Sequence, residues 1–366
     1  LNILKNRSFT LLWFGNAASE LGGAFGTFCN SLLIYELTGS TMALGSMWLL
    51  YLLPSLVLQL VIGPFIDRWS RKWIMIACLW SRGFIFLIPL IAYTMGLLVP
   101  WHIYAVQLMV GFITPLYVPA NQAILPTIVT KDQLSTANAY VDGMVRLMTF
   151  MAPVVAGVVI EYIGVNSTLT FVCVLLLLSG SLLLGTREER IMQDVRKTWV
   201  EQFVYGMRLF FKHRVVVWLG IFLVFVQFGV GVTMVINLPY VTDELNRDYA
   251  MYGYFMAGFP LGYMIGSLLV GKVTFHRRRI PMLGALVVGG LTYINLGVTP
   301  SIVFAIVTEI VAGVAMAFFN IHNLTICQKV TPNHVMGKVF SVRLFIIRGA
   351  LPLGVLVGGI WSEVWG

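Results

Sequence analysis

The chain has 366 residues, of which 58% are hydrophobic and only 11% charged. Soluble domains run about 45–50% apolar and about 25% charged, so this composition excludes a soluble enzyme, a disordered scaffold and a secreted disulfide framework. The net charge of +9 does not point to nucleic acid, because the basic residues are distributed as membrane topology dictates.

Apolar runs of about 20 residues are long enough to cross a bilayer as helices. Eleven are predicted, at 9–37, 42–62, 73–95, 101–124, 139–160, 166–185, 215–238, 252–270, 280–297, 301–326 and 339–361. They are unbroken and twice the length of outer-membrane barrel strands, which sets that architecture aside. The first run is too long for a cleaved signal peptide and carries Asn16, Glu20 and Asn30, so it reads as a functional span.

The connecting segments alternate in Lys and Arg. Nineteen fall on one side, from Lys5 and Arg7 through Arg68, Arg71 and Lys72 to Lys338, and only Arg247 falls on the other. Cytoplasmic loops retain positive charge, so the N-terminus is expected in the cytoplasm. The four remaining arginines, Arg82, Arg146, Arg343 and Arg348, lie inside spans. Cys29, Cys78, Cys173 and Cys327 sit in or at the ends of four different spans without metal-ligand spacing, and read as small core residues.

The one long polar segment, 187–214, separates an N-terminal six-helix bundle at 1–186 from a C-terminal bundle at 215–366 with five spans. Within it Val200, Phe203, Val204, Met207, Phe210 and Phe211 recur at helical spacing, which predicts an amphipathic helix on the inner membrane face. The halves echo one another. Gly63 to Lys72 after span two is matched by Gly271 to Arg279 after span eight, and Pro153 in span five by Pro352 in span eleven. A repeat at an offset near 200 residues is the mark of a transporter built from two parallel halves. Six plus six spans require a twelfth, which is expected beyond Gly366.

The stretch Gly63-Pro-Phe-Ile-Asp67-Arg68-Trp-Ser-Arg71-Lys72 resembles the G-x-x-x-D-R-x-x-R-K loop of the major facilitator superfamily. Pro119-Ala-Asn-Gln-Ala-Ile-Leu-Pro126 and Leu134-Ser-Thr-Ala-Asn138 resemble its macrolide-efflux and enterobactin-exporter branch. Ala152-Pro153-Val-Val-Ala-Gly157 is similar to the antiporter motif of drug exporters, with alanines for two of its three glycines. Span four carries Gln107 and no Arg, a departure from many of those exporters. The resemblance implies an all-α membrane fold of two six-helix bundles, with spans one, four, seven and ten lining a central cavity. It further implies that Asp67, with Arg68, Arg71 and Lys72, latches the cytoplasmic mouth against span eleven; a purely topogenic loop is the alternative. Asp142 and Arg146 are one helical turn apart and close enough to pair, extending that charge network.

Ionisable groups inside a span cost about 2.5–3.5 kcal/mol each on insertion scales, so they face a cavity or a partner. Asn16, Glu20, Gly23, Thr27 and Asn30 share one face of span one, and Glu309, Gly313 and Asn320 repeat the pattern in span ten. Gln107 and Gln227 add polar groups in spans four and seven. Glu20 and Glu309 are candidate proton-coupling carboxylates; the alternative makes Glu20 the structural partner of mid-span Arg82, and Glu309 that of a polar group on another helix. Gly258, Gly262 and Gly266 read as a close-packing stripe, and His322 as a packing residue. No Walker motif is present, so the proton gradient, with no cofactor or metal, is the expected energy source. The expected activity is export of an amphipathic small molecule by a monomer in a bacterial cytoplasmic membrane; uptake, lipid flipping or a non-transporting receptor are the alternatives.

Overall fold

The computed structural model describes residues 3–61, 69–188, 199–272, 279–331 and 336–365. Gly63, Asp67 and Arg68 lie outside the described residues, so the central charged part of the loop motif has no structural account.

The described chain is helical throughout. The first half supplies α1 (Arg7–Thr38), α2 (Thr41–Val61), α3 (Arg71–Ile85), α4 (Leu87–Thr94), α5 (Pro100–Ile124), α6 (Leu134–Ile163) and α7 (Val165–Leu183). After the connecting helix α8 (Trp199–Lys212) come α9 (Arg214–Pro239), α10 (Tyr249–Lys272), α11 (Arg279–Val298), α12 (Ile302–Val330) and α13 (Met336–Trp365). Span three is broken at Phe86 into α3 and α4, whose ring is buried against Gly26 of α1. A π-helical turn, Tyr240–Glu244, extends α9 and carries Asp243.

Ten stretches among the described residues are long and apolar enough to cross a membrane, and they match ten of the eleven expected spans. The exception is α1, the longest helix at 32 residues. Asn16, Ser19, Glu20, Asn30 and four glycines lower its mean hydropathy. These polar groups are carried at the heart of the bundle, where α1 packs against α6 and α7 and touches α2 and α5.

The same pairings recur in both halves. The α1–α6 contact corresponds to α9–α13, α2–α5 to α10–α12, and α3–α5 to α11–α12. This correspondence is the structural form of the sequence repeat. Two seams join the halves, α6 against α10 and α2 against α13. Helix α8 packs on α13 and α9, with Phe210 buried beside Gly220 while Val204, Met207 and Phe211 stay exposed. That exposed apolar edge agrees with the amphipathic reading of the segment.

The end of the bundle bearing Arg7 and Arg71 is termed the basic end, and the opposite one, bearing Thr38 and Tyr249, the distal end. At the basic end α3 and α7 cap each other. The Glu188 carboxylate accepts from the backbone N–H groups of Arg71 at 3.0 Å and Lys72 at 3.2 Å and from the Ser70 hydroxyl at 2.5 Å. In return, the Lys72 ammonium donates to the carbonyls of Leu184 at 2.7 Å and Thr186 at 2.8 Å. Anions suit helix N-termini and cations suit C-termini, so each charge meets the complementary end of the macrodipole.

Candidate translocation path and gates

Three places hold the candidate residues: the polar interior of the first half, the matching region of the second, and the seams between them. In the first half, the Asn16 amide N–H donates to Asn121 Oδ1 at 2.9 Å and its oxygen accepts from the Tyr117 hydroxyl at 2.9 Å. The α1 stripe is therefore turned toward α5. Asn16, Asn30 and Gln107 are buried, whereas Glu20 and Arg82 are half-buried. Glu20 lies within electrostatic reach of Arg82 and Tyr117, and a Cβ added at Gly23 would stand 2.8 Å from the Arg82 guanidinium. The ion pairs within the described residues are Arg71–Glu188 at 3.8 Å and Arg146–Asp142 at 2.8 Å. Glu20 and Arg82 are thus neighbours through their field rather than a closed pair.

In the second half Glu309 is buried on α12 with its Cβ against Gly258 of α10, within electrostatic reach of Tyr240 and Tyr293. Gln227 and Asn320 are half-buried. Gly258, Gly262 and Gly266 all face α12 of the same half, so that stripe packs a bundle rather than the joint between halves. His322 shares a hydrogen bond with the Phe318 carbonyl at 2.8 Å.

The seams carry the contacts between halves. At α6–α10, a Cβ on Gly157 would press on the Tyr249 carbonyl oxygen and lie 3.1 Å from the Gly253 Cα, and Gly253 meets the Pro153 carbonyl in return. Pro153 and Gly157 of the antiporter-like motif therefore form the close approach between halves. Nearer the basic end, Arg146 is held by Asp142 and lies 5.5 Å from the Tyr263 ring centroid of α10. Its counterpart at the other seam is Arg348 of α13, which donates to Gln59 of α2 at 3.1 Å. Arg71 and Lys72, expected in the latch, are engaged by Glu188 at the start of the connecting segment and by the Leu184 and Thr186 carbonyls at the end of the first half.

A set of residues that the sequence reading did not single out links the two halves at the distal end. Tyr35 of α1 donates to Asp243 on the π-helical turn. Tyr249 of α10 donates through its hydroxyl to Glu36 at 2.7 Å and through its backbone N–H to Glu161 at 3.2 Å. Glu363 of α13 accepts from the hydroxyls of Ser40 at 2.9 Å and Thr41 at 3.1 Å and from the Met42 N–H at 3.2 Å. Every one of these bonds crosses between halves, and each joins a carboxylate to a neutral donor.

The sequence model of the Major Facilitator Superfamily matches residues 12–355. The chain belongs to that superfamily. It is a multi-pass membrane transporter, not an enzyme. Among its relatives, macrolide efflux protein A of Streptococcus pyogenes is 23% identical over 369 residues, covering 97% of this chain and 89% of its own. The enterobactin exporter EntS of Escherichia coli O139:H28 is 26% identical over 288 residues, covering 76% of this chain and 66% of its own. The crystal structure of a bacterial homologue of the iron transporter ferroportin, in an inward-facing state, shares the fold with a TM-score of 0.77 at 15% identity, over 97% of this chain and 91% of that one.

Proposed function

We propose that this transporter exports an amphipathic small molecule by alternating access, driven by the proton gradient, with its basic end in the cytoplasm. The observation that carries the reading is the placement of the gate. Carboxylate hydrogen bonds link the halves at the distal end, where Tyr35, Tyr249 and Glu363 lie. A molecule shut at that end is poised to take substrate from the other. The Lys and Arg bias of the connecting segments favours the cytoplasm for the basic end. The likeness to macrolide and enterobactin exporters supports export and a substrate of mixed polarity.

In this scheme Glu20 exchanges a proton for substrate. It lies about eleven residues along its span, or roughly 16 Å at 1.5 Å per residue, which is close to the midplane of a 30 Å core. A carboxylate at that depth is charged only when Arg82 or a cationic substrate compensates it. Glu309 is the second mid-span carboxylate, buried where Glu20 is half-buried.

The test is uptake of a labelled macrolide into inside-out vesicles with an imposed acidic interior. Accumulation that collapses with an ionophore is expected. Accumulation in right-side-out vesicles instead, or in neither, overturns the proposal.

A further inference from the structure

A groove of about 370 Å³ runs along the seam between α6 and α10. Phe150 and Val154 of α6 line it on one side, Ile306 and Ile310 of α12 on the other, and buried Gly258 of α10 lies between them, with Tyr254 exposed at the mouth. A Cβ at Gly258 would stand 3.1 Å from the Ile306 carbonyl oxygen and 3.7 Å from the Ile310 side chain, so α10 and α12 meet directly beneath the groove. No lining residue carries a charge, and the Tyr254 hydroxyl is the one polar side-chain group among them. Small-molecule sites run from about 300 to 1,000 Å³, so the space is that of a binding site.

The groove faces away from the interior of the bundle. On α10, the Tyr252 ring packs on Phe28 of α1 with centroids 5.0 Å apart, and Asn237 of α9 donates to Met256 Sδ at 3.7 Å. Tyr254 and Gly258 each lie two residues further on, about 200° around the helix, and so occupy the opposite flank. Val303 and Val307, on the α12 stripe beside Ile306 and Ile310, are exposed. The depth of the groove follows from all three helices. Glu161 bonds the Tyr249 N–H, which sets the distal ends of α6 and α10 level. Met251 and Leu261 bound the groove on α10, Phe150 and Val154 precede the α6 terminus at Ile163, and Ile306 and Ile310 follow the α12 start at Ile302. At about 1.5 Å per residue these positions span roughly 3 to 20 Å from the distal ends, about half of a 30 Å hydrocarbon core. That is the thickness of one leaflet.

We propose that this groove binds one acyl chain of a phospholipid from the distal leaflet, and that the bound chain holds the two halves together at the α6–α10 seam. On that flank and at that depth the medium is hydrocarbon, so what reaches the groove is a chain lying along the helices. Its uncharged lining suits the chain and offers nothing to a headgroup. A chain on a flat helix surface touches protein on one side, whereas here it touches α6, α10 and α12 at once. Dispersion contacts of this kind decide association within a bilayer, where exclusion of water contributes little. The two walls belong to different halves. Gly157 of α6 sits against the Tyr249 carbonyl and Gly253 of α10 beside the groove, which therefore exists only while those backbones are close. A ligand that contacts both halves in one arrangement shifts the population toward it. The binding site stands on the groove alone, and its effect on the transport cycle rests on the alternating access proposed above.

The experiment titrates the full chain in detergent with a phosphatidylglycerol that carries a diazirine midway along one acyl chain, followed by photolysis and peptide mapping by mass spectrometry. Leu291 and Ile294 of α11, near its distal end at Val298, lie at the same depth and are 57% and 66% exposed, against 44% for Tyr254. Exposure alone favours the α11 pair. A bound chain reverses that order, and adducts on Tyr254 and Ile306 should saturate several-fold earlier in the titration than those on α11. Val154→Trp, which fills the groove, should remove the early adducts and leave the α11 ones unchanged; Ile306→Trp fills it from the other half and repeats the test where the first variant does not fold. Without photolysis, spin-label distances across the distal end should move toward the linked arrangement as lipid is added to the parent chain, and should not respond in a filled variant. Adducts that follow exposure, or that persist in a folded filled variant, overturn the site. Displacement by a macrolide but not by unlabelled phosphatidylglycerol assigns the groove to substrate and overturns the lipid assignment. Saturable labelling with distances that ignore lipid overturns the holding role. No labelling readout passes through transport, so a failure of the export reading is told apart from a failure of the lipid site.

Discussion

Tyr249 joins three helices at once: its hydroxyl donates to Glu36 of α1 at 2.7 Å while its backbone N–H, at the first residue of α10, donates to Glu161 at the end of α6 at 3.2 Å. One residue of the second half is thereby bound to two helices of the first. An N–H at a helix start is an unpaired donor, and a carboxylate there meets the positive end of the dipole. The distal seam is thus closed by groups that helix geometry leaves available.

Removing the hydroxyls should open this gate. Tyr35→Phe with Tyr249→Phe keeps both rings and deletes two cross-half bonds. At about 1 kcal/mol each for partly solvated bonds, the balance between states should shift by roughly tenfold or more. Spin-label distances across the distal end should lengthen in a new population. An unchanged distribution would show that these bonds do not hold the gate.

The close approach of α6 and α10 yields a second expectation. Gly157→Val places a branched side chain against the Tyr249 carbonyl and Gly253. The backbones must part, and the distal population should open with little change in overall thermal stability. Gly143, which faces open space on the same helix, is the control, and Gly143→Ala should leave the distances as they are.

The reciprocal caps at the basic end give a stability prediction. Glu188→Ala leaves Arg71, itself buried, without its carboxylate. Breaking one partner of a buried pair costs about 3–5 kcal/mol. Thermal unfolding followed by a thiol-reactive dye, which the four buried cysteines report, should shift down by several degrees. Lys72→Met, which removes a half-buried cation from two carbonyls, should cost less.

Glu20→Gln separates coupling from architecture. It holds size and hydrogen-bonding capacity while fixing the side chain neutral. If Glu20 carries the proton, the variant should bind or passively exchange substrate but lose accumulation driven by a pH gradient. If it serves Arg82 instead, expression and thermal stability should fall, and Arg82→Gln in the same chain should restore them. Full gradient-driven transport by the single variant would turn attention to Glu309.

Much of this architecture is legible in the sequence, because a span announces itself through twenty consecutive residues. The Asp142–Arg146 pair is legible for a similar reason, lying within one helical turn. The gate is not. Tyr35 and Asp243, like Tyr249 and Glu36, stand more than 200 residues apart, and their pairing exists only once two bundles are apposed. A usable signal was present nonetheless. Glu36, Glu161, Asp243, Glu244, Asp248 and Glu363 collect at span ends on the side where Arg247 is the single basic residue of the connecting segments. Topology does not require that acidity, since Asp and Glu contribute little to orientation. The direction of the α1 stripe was equally hidden, because periodicity defines a face but not the neighbour it meets.

The neutrality of the donors at the distal gate has an electrical consequence. In the proposed alternating-access cycle, when Tyr35, Ser40, Thr41 and Tyr249 let go, no counter-cation leaves with them, and the Glu36, Asp243 and Glu363 carboxylates turn to water. The mouth that opens therefore holds a negative potential, strongest at low ionic strength. Cations are drawn to its rim and anions are repelled from it, so the rim itself sorts by charge whatever next approaches from that side.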